Sequence, residues 1–331
     1  MNTQTVEKAI IFLVPGIDVV NGGVMSILSI AAESRRLHDV HGANVYVCTL
    51  PNHPPLSRYT RFTNNEKLLG FDQLLSQLHQ CREFMLHIPE VHVSDLLSWL
   101  RLHGIVCLPN LRINILLQNI DVCPSDVELR QLGSWAPLSC TTAHLAYATA
   151  EVQARLGCPL HHLSVWVSPE HYRRVDVLEK ESLLVYSNDE NPRKAEVLAY
   201  LRSSLPEYSF LEITHMTHEQ YKNTIARAKF SISFGEGLDG YFVEPVFSGS
   251  IGCAVYNDRF FTDDFFRTSF VYESWNDFLE RFIEDVRRCE EIDAFRKVND
   301  DQFKRLAKVY SYDTYQDNLK KFYGATFARN R

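Results

Sequence analysis

Residues 9–14 read AIIFLV, an apolar run with no polar break, which is the pattern of a parallel strand buried on both faces. A turn, PGIDVVNGG, follows, and then Val24, Ile27, Leu28 and Ala31 recur at helical spacing. The alternation continues, with strands predicted at 43–48, 84–88, 104–108, 113–117 and 162–167. Between them, Ser94 caps a predicted helix with Leu96, Leu97 and Leu100 on one face and Gly104 at its end, and a second helix covers roughly 142–156. The segment 52–80 is polar and poorly periodic until 74–78, and reads as a loop plus a short helix. A charged joint, SPEHYRRVDVLEKES at 168–182, interrupts the pattern, which then restarts. Strands are predicted at 183–186, 208–213, 230–234 and 253–256, with helices at 193–203 and 242–248. Thr217 with Gln220 makes a capping box for the helix carrying Tyr221 and Ile225. Ser274 caps a segment with Phe278, Phe282 and Val286 on one face, and a last helix carries Tyr312, Tyr315, Leu319 and Phe322.

Two successive runs of alternating strands and helices predict an α/β fold with two Rossmann-like, doubly wound parallel-sheet domains facing a cleft. The first is expected to span 1–167 and the second 168–310. In such sheets ligands sit beyond the carboxyl ends of the strands, so the loops there are the ones to inspect.

Bulk composition narrows the function classes. The 331 residues are 45% hydrophobic and 23% charged, the balance of an ordinary globular protein. A net charge of −7 argues against a dedicated nucleic-acid binder, which needs clustered Lys and Arg. No apolar run approaches the length that spans a bilayer, and the N-terminus lacks a basic segment before its short apolar run, so it reads as a first strand rather than a signal peptide. The eight cysteines are scattered with no C-x-x-C pair, and several sit in apolar runs, which favours a reduced, cytoplasmic protein. Arg35-Arg36 and Arg58 with Arg61 are too sparse for a membrane-binding patch, which leaves peripheral contact with the inner face of the cell membrane open.

Three loops face the expected cleft on the carboxyl side. Gly22 and Gly23, between the first strand and helix, let backbone approach a ligand at a helix N-terminus, although taken alone such a pair is more often a plain tight turn. Arg193 and Lys194 stand at a predicted helix start, where the macrodipole prefers acids, so they point either to a nearby anion such as a diphosphate or to a solvated charged loop. The third, FGEGLDGYFVEPVFSGS at 234–250, sets Glu236 and Glu244 eight positions apart around a glycine turn. N–H groups from Gly240 through Tyr241 to Phe242 can receive phosphate oxygens, and the two carboxylates can accept hydrogen bonds from vicinal sugar hydroxyls. In the first domain, Gln118 and Asn119 end a buried strand and must find polar partners, either a sugar or acceptor hydroxyl or their own loop.

The stretch EGLDGYFVE followed by PVFSGS resembles the retaining glycosyltransferases of the GT-B fold, whose E-x7-E motif is commonly EGFG-x4-E with a small-residue step after it. Glu236, Glu244 and Gly249 match in place. The likeness extends loosely over the chain, to the glycine pair near the N-terminus, the interdomain segment SVWVSPEHY and a terminal helix, 311–331, expected to pack back on the first domain. Asp239 and Tyr241 replace the usual Phe-Gly-Leu-Pro run, and the adjacent Arg193-Lys194 replaces the usual separated Arg and Lys. The resemblance implies that Glu244 binds ribose and Glu236 the donor-sugar hydroxyls, while Arg193 and Lys194 neutralise the leaving diphosphate without a metal or other cofactor. It also implies a nucleotide-sugar donor, with Gln118 and Asn119 on the opposite wall and Asn119 near the reacting hydroxyl. The acceptor would be a glycan or a lipid-linked sugar in surface polysaccharide or lipopolysaccharide synthesis. An epimerase or hydrolase of the same architecture, and a non-catalytic partner that keeps the fold, are the alternatives.

Overall fold

The computed structural model describes residues 8–16, 22–55, 66–71, 81–103, 110–165 and 167–327. The chain divides into two compact units, Met1–Trp166 with Tyr315–Arg331, and Val167–Thr314.

The first unit is built on seven strands: β1 (Lys8–Val14), β2 (Asn44–Thr49), β3 (Leu68–Gly70), β4 (Glu83–Pro89), β5 (Leu111–Leu117), β6 (Leu138–Thr142) and β7 (Leu160–His162). They pair in parallel in the order β3-β2-β1-β4-β5-β6-β7, so the winding reverses between β1 and β4. All of β4 and nearly all of β1 are buried, as expected of central parallel strands covered on both faces. Val24, Ile27, Leu28 and Ala31 of the helix Gly22–Arg36 pack on Ile10, Phe12 and Val14. The same cluster takes Tyr315, Leu319, Phe322 and Tyr323 from the helix Tyr312–Phe327. That helix is held by polar contacts as well, with the Tyr323 and Ser34 hydroxyls 2.6 Å apart and Gln316 bonded to the buried Glu33.

The second unit has five parallel strands: β8 (Glu181–Ser187), β9 (Ser209–Ile213), β10 (Ala228–Ile232), β11 (Ile251–Val255) and β12 (Val271–Tyr272). Their order is β12-β11-β10-β8-β9, with the reversal between β8 and β10. One face carries an aromatic core in which Phe230, Phe270, Tyr272, Phe278, Phe282 and Phe295 meet. The Thr217–Gln220 capping box and the Ser274 cap both form.

Several elements differ from the sequence expectation. The expected strand 162–167 is instead β7, and Ser164 beyond it has a φ of 65° that no strand continues through. The expected helix 142–156 is shorter, Ala150–Leu156, and starts where the Thr149 side chain accepts from the Val152 amide. Its expected first turn instead lies just after β6, whose sequence LSCTT is too polar to read as a buried strand. β3 lies in the segment expected to be loop, while the predicted strand 104–108 and the helix at 74–78 lie outside the described residues.

The helix Ile292–Val309 was not legible at all. Its buried face is Phe295, Asn299, Gln302 and Leu306, so two of the four inward positions are amides and the apolar periodicity is broken. Those amides serve as backbone partners: Asn299 Nδ2 donates to the Val246 and Ser250 carbonyls, and Gln302 bonds both the N–H and the carbonyl of Gly252.

Candidate functional site

In the second unit, parallel strands bring four loops to one edge, those after β8, β10, β11 and β12. They enclose a cavity of about 430 Å³ lined by Asn191, Ser233, Gly235, Tyr256, Asp258 and Trp275, with Val255 and Asn257. Trp275 opens the helix Trp275–Arg288 and stacks on Phe234 at 5.0 Å. Asn191 ties its loop to the next by donating to the Phe234 carbonyl at 2.9 Å, while its own oxygen accepts the Arg193 amide at 2.9 Å. Tyr256 stacks on Phe261. The turn after β10 needs its glycine: Gly237 has φ +90°, and a Cβ there would lie 2.7 Å from the Phe261 ring and 2.9 Å from the Val255 carbonyl.

The two motif glutamates go to different surroundings, and neither lines that cavity. Glu236 is half-buried in the glycine turn. Tyr310, already raised by burial, is raised further by the charges of Asp239 and Glu236, which places all three close together. Glu244 points from the helix Gly240–Phe247 toward the hydroxyls of Tyr172 and Tyr221, and burial pushes its carboxyl up to about 7. Tyr221 Oη also lies 3.3 Å from the Gly240 carbonyl. A Cβ on Gly240 would meet the Glu244 carboxylate at 2.9 Å. Tyr241 donates to Asn188 Oδ1 at 3.0 Å, closing the turn against the end of β8.

Two of the three N–H groups expected to receive phosphate, those of Tyr241 and Phe242, already have an acceptor. Asp239 is the N-cap of the helix Gly240–Phe247; it accepts the Phe242 amide at 3.1 Å and bonds the Tyr241 amide as well. Its other oxygen accepts from Ser233 Oγ. Burial, with the Asp189 charge adding to it, pushes the Asp239 carboxyl up to about 7.

The two basic residues also separate. Lys194 turns inward, where its ammonium donates to the Ser187 carbonyl at 2.9 Å, the Asp189 carbonyl at 3.2 Å and Glu212 at 2.7 Å. It lies over the Tyr186 and Phe234 rings. Arg193 remains at the surface, bidentate to Glu196 and bonded to Asn276, the neighbour of Trp275. An exposed pair of this kind contributes about 0–1 kcal/mol, so an incoming anion can displace Glu196.

In the first unit the structure brings Gly23, Gln118 and Asn119 together beyond β1, β4 and β5, beside the reversal. Gln118 Nε2 donates to the Gly23 carbonyl at 3.0 Å. The buried Glu90 accepts the amides of Gln118 at 3.2 Å and Asn119 at 2.8 Å, and His144 Nε2 lies 2.9 Å from the Gln118 carbonyl. Burial raises Glu90 and lowers His144. The Asn119 side chain accepts the Asp121 amide at 2.9 Å. Asn119 thus ties down its own loop, whereas Gln118 bridges to the segment after β1. Gly22 is exposed, with no described residue within 4 Å of where its Cβ would stand.

Sequence reasoning missed Glu90, His144, Trp275, Tyr256 and Asp258. A signal existed, since each lies within three residues of the carboxyl end of a strand: Glu90 after β4, His144 after β6, Tyr256 and Asp258 after β11, and Trp275 after β12. Among the described residues no group of three or more His, Cys, Asp or Glu is placed to hold a metal ion, and no helix is long and apolar enough to cross a membrane.

No family model matches the chain, and no curated protein matches it in sequence. Solved structures do resemble it, and the fold is that of the GT-B glycosyltransferases. Sucrose-phosphate synthase from Thermosynechococcus elongatus aligns with a TM-score of 0.60 at 10% identity, over 97% of this chain and 99% of that one. HepE from Anabaena in complex with UDP-glucose gives 0.58 at 10% identity over the same shares. The trehalose-6-phosphate synthase OtsA gives 0.59, again at 10% identity and over 97% and 99% of the two chains.

Proposed function

We propose that this chain is a glycosyltransferase that takes a nucleotide-sugar donor in its second unit and transfers the sugar, with retention and without a metal, to a glycan or lipid-linked acceptor in surface polysaccharide synthesis. The observation that carries the reading is the cavity at the carboxyl edge of β8, β10 and β11, with Trp275 and Tyr256 on its wall. An aromatic wall suits the π-face of a base, and the amides of Asn191 and Asn257 are hydrogen-bond partners for its edge. The resemblance in fold to HepE, whose structure contains UDP-glucose, supports the donor class. Glu236, on the turn that runs from this cavity, faces the donor sugar, and Arg193 at the rim exchanges Glu196 for phosphate oxygens. Gly22 and Gly23 give backbone access in the first unit. Gln118, Asn119, Gly240, Tyr241, Glu244 and Lys194 act through the loops they hold.

The test is a panel of nucleoside diphosphates and their sugars, read by thermal shift and by transfer to added acceptor. One base should raise the melting temperature, and Trp275→Ala should weaken its binding about five- to a hundredfold, the range of a lost base–aromatic stack of about 1–3 kcal/mol. Transfer should survive EDTA; loss restored by magnesium or manganese would show the metal-free reading wrong. The internal partners of Lys194 and Asp239 favour one second reading, a protein that keeps the fold without transferring sugar. No stabilisation by any nucleotide would select it.

A further inference from the structure

The cavity of the second unit differs in charge from what a diphosphate needs. Among the described residues lining it there is no Lys or Arg, and Asp258 stands on its wall. Behind its floor lie two more carboxylates. Asp239 is bonded to the lining residue Ser233, and Asp189 crowds the lining residue Gly235, with an oxygen 2.6 Å from where a Cβ would stand. Lys194, the nearest buried cation on this loop, is spent on Glu212 and two carbonyls. A phosphate entering this space would meet three carboxylates and find the Tyr241 and Phe242 amides of the following helix taken by Asp239. An uncharged, flat, hydrogen-bonding group meets no such penalty and gains the Trp275 and Tyr256 faces.

We propose that Asp239 and Asp258 are specificity-determining residues that make the cavity admit the uncharged nucleoside end of a donor and exclude its phosphates, which are left to Arg193 at the rim. The proposal rests on the donor reading above, and names which end of that donor the cavity selects. Asp239 acts from behind Ser233 and the glycine turn, faced by Ser233, Asp189, Glu236, Tyr310 and its own helix amides. Asp258 acts directly from the wall.

The experiment compares dissociation constants at pH 8 for uridine, adenosine and guanosine, for their diphosphates, and for inorganic diphosphate alone. The proteins are the wild type, Asp239→Asn, Asp258→Asn and the double variant. Asn keeps the cap acceptor for the Phe242 amide, so folding is preserved. The wild type should bind the preferred nucleoside within about threefold of its diphosphate and should not bind inorganic diphosphate. The double variant should gain about tenfold or more for the diphosphates and for inorganic diphosphate, and each single variant less. If no nucleoside binds any protein while the double variant gains inorganic diphosphate, the charge exclusion stands and the nucleotide reading falls. Variants that bind inorganic diphosphate and nucleoside diphosphates no tighter than the wild type overturn the proposal, whatever the nucleosides do.

Discussion

Each unit carries a glycine-bearing turn at the carboxyl edge of its parallel sheet, and the two are glycine for opposite reasons. In the second unit the glycines are demanded by the protein itself. Gly237 has φ of +90° with a Cβ there 2.7 Å from the Phe261 ring, and Gly249, in the loop that leads from the helix Gly240–Phe247 back to the amino end of β11, has φ of +88° with a Cβ there 2.3 Å from the Val175 carbonyl oxygen. In the first unit Gly22 starts its helix with no described residue within 4 Å of where a Cβ would stand, and no positive φ requires it. The packed turn has also filled its own anion site with Asp239, whereas the open one presents a helix N-terminus whose glycine no described residue requires. Packing dictates one turn, and among the described residues it does not dictate the other.

The largest expected effect breaks the packed side. Gly249→Ala forces a methyl into a backbone carbonyl at a left-handed φ, where neither partner can yield as a flexible side chain would. A loss of more than about 4 kcal/mol is expected, enough to unfold the second unit at room temperature. Urea denaturation showing less than about 1 kcal/mol would mean that the backbone at Val175 is free to move and that the loop before β11 is not packed as described.

A smaller effect sharpens the electrostatic half of the comparison. Burial raises Asp239 to about 7, so the folded state holds its proton over a range in which the unfolded chain has lost it. The sign follows: the stability this group lends is complete below about pH 4 and is lost as the pH rises through about 7. Asp239→Asn removes the titration and keeps the cap, so it should exceed the wild type by about 2–3 kcal/mol at pH 8, with the gap closing by pH 5. Glu244 is raised in the same direction and leaves a residual slope in the variant. Hydrogen exchange of the β10 amides at the two pH values checks this. A pH-independent difference would mean that the Asp239 carboxyl is ionised throughout, with an unperturbed affinity for its proton.

How much of this was legible follows from the same distinction between local and assembled features. β1, β8 and the Thr217 and Ser274 caps were readable because each is dictated by a few adjacent residues. The helix Ile292–Val309 was not, because Asn299 and Gln302 take inward positions for partners that lie in the chain around β11. In the site, the glycine turn was readable as a turn, but its cavity was not, since Trp275 and Tyr256 join Gly235 only when β10, β11 and β12 align. Lys194 was read as a cation seeking an anion, and it has one; Glu212 and two strand-end carbonyls supply the negative charge instead of a diphosphate. Asp239 was visible as a departure from the family motif, yet its reach back to Phe242 and Ser233 is a matter of geometry.

The smallest expected effect on stability is the most informative about function. Gly22→Ala adds a methyl into open space at the first position of the helix Gly22–Arg36, where the backbone is already one an alanine adopts. Replacing glycine at such a position stabilises by about 0.4–1 kcal/mol, because the unfolded chain loses more freedom than the folded one. Folding therefore gives no reason to keep glycine there. If the turn is glycine so that a ligand can approach its backbone, the methyl occupies that approach and transfer should fall about tenfold while denaturation shows a protein no less stable than the wild type. The two readings separate cleanly, since a merely structural glycine would lower stability first and activity only with it. Unchanged stability together with unchanged transfer would mean that no ligand reaches this turn, and the open half of the comparison would lose its functional meaning.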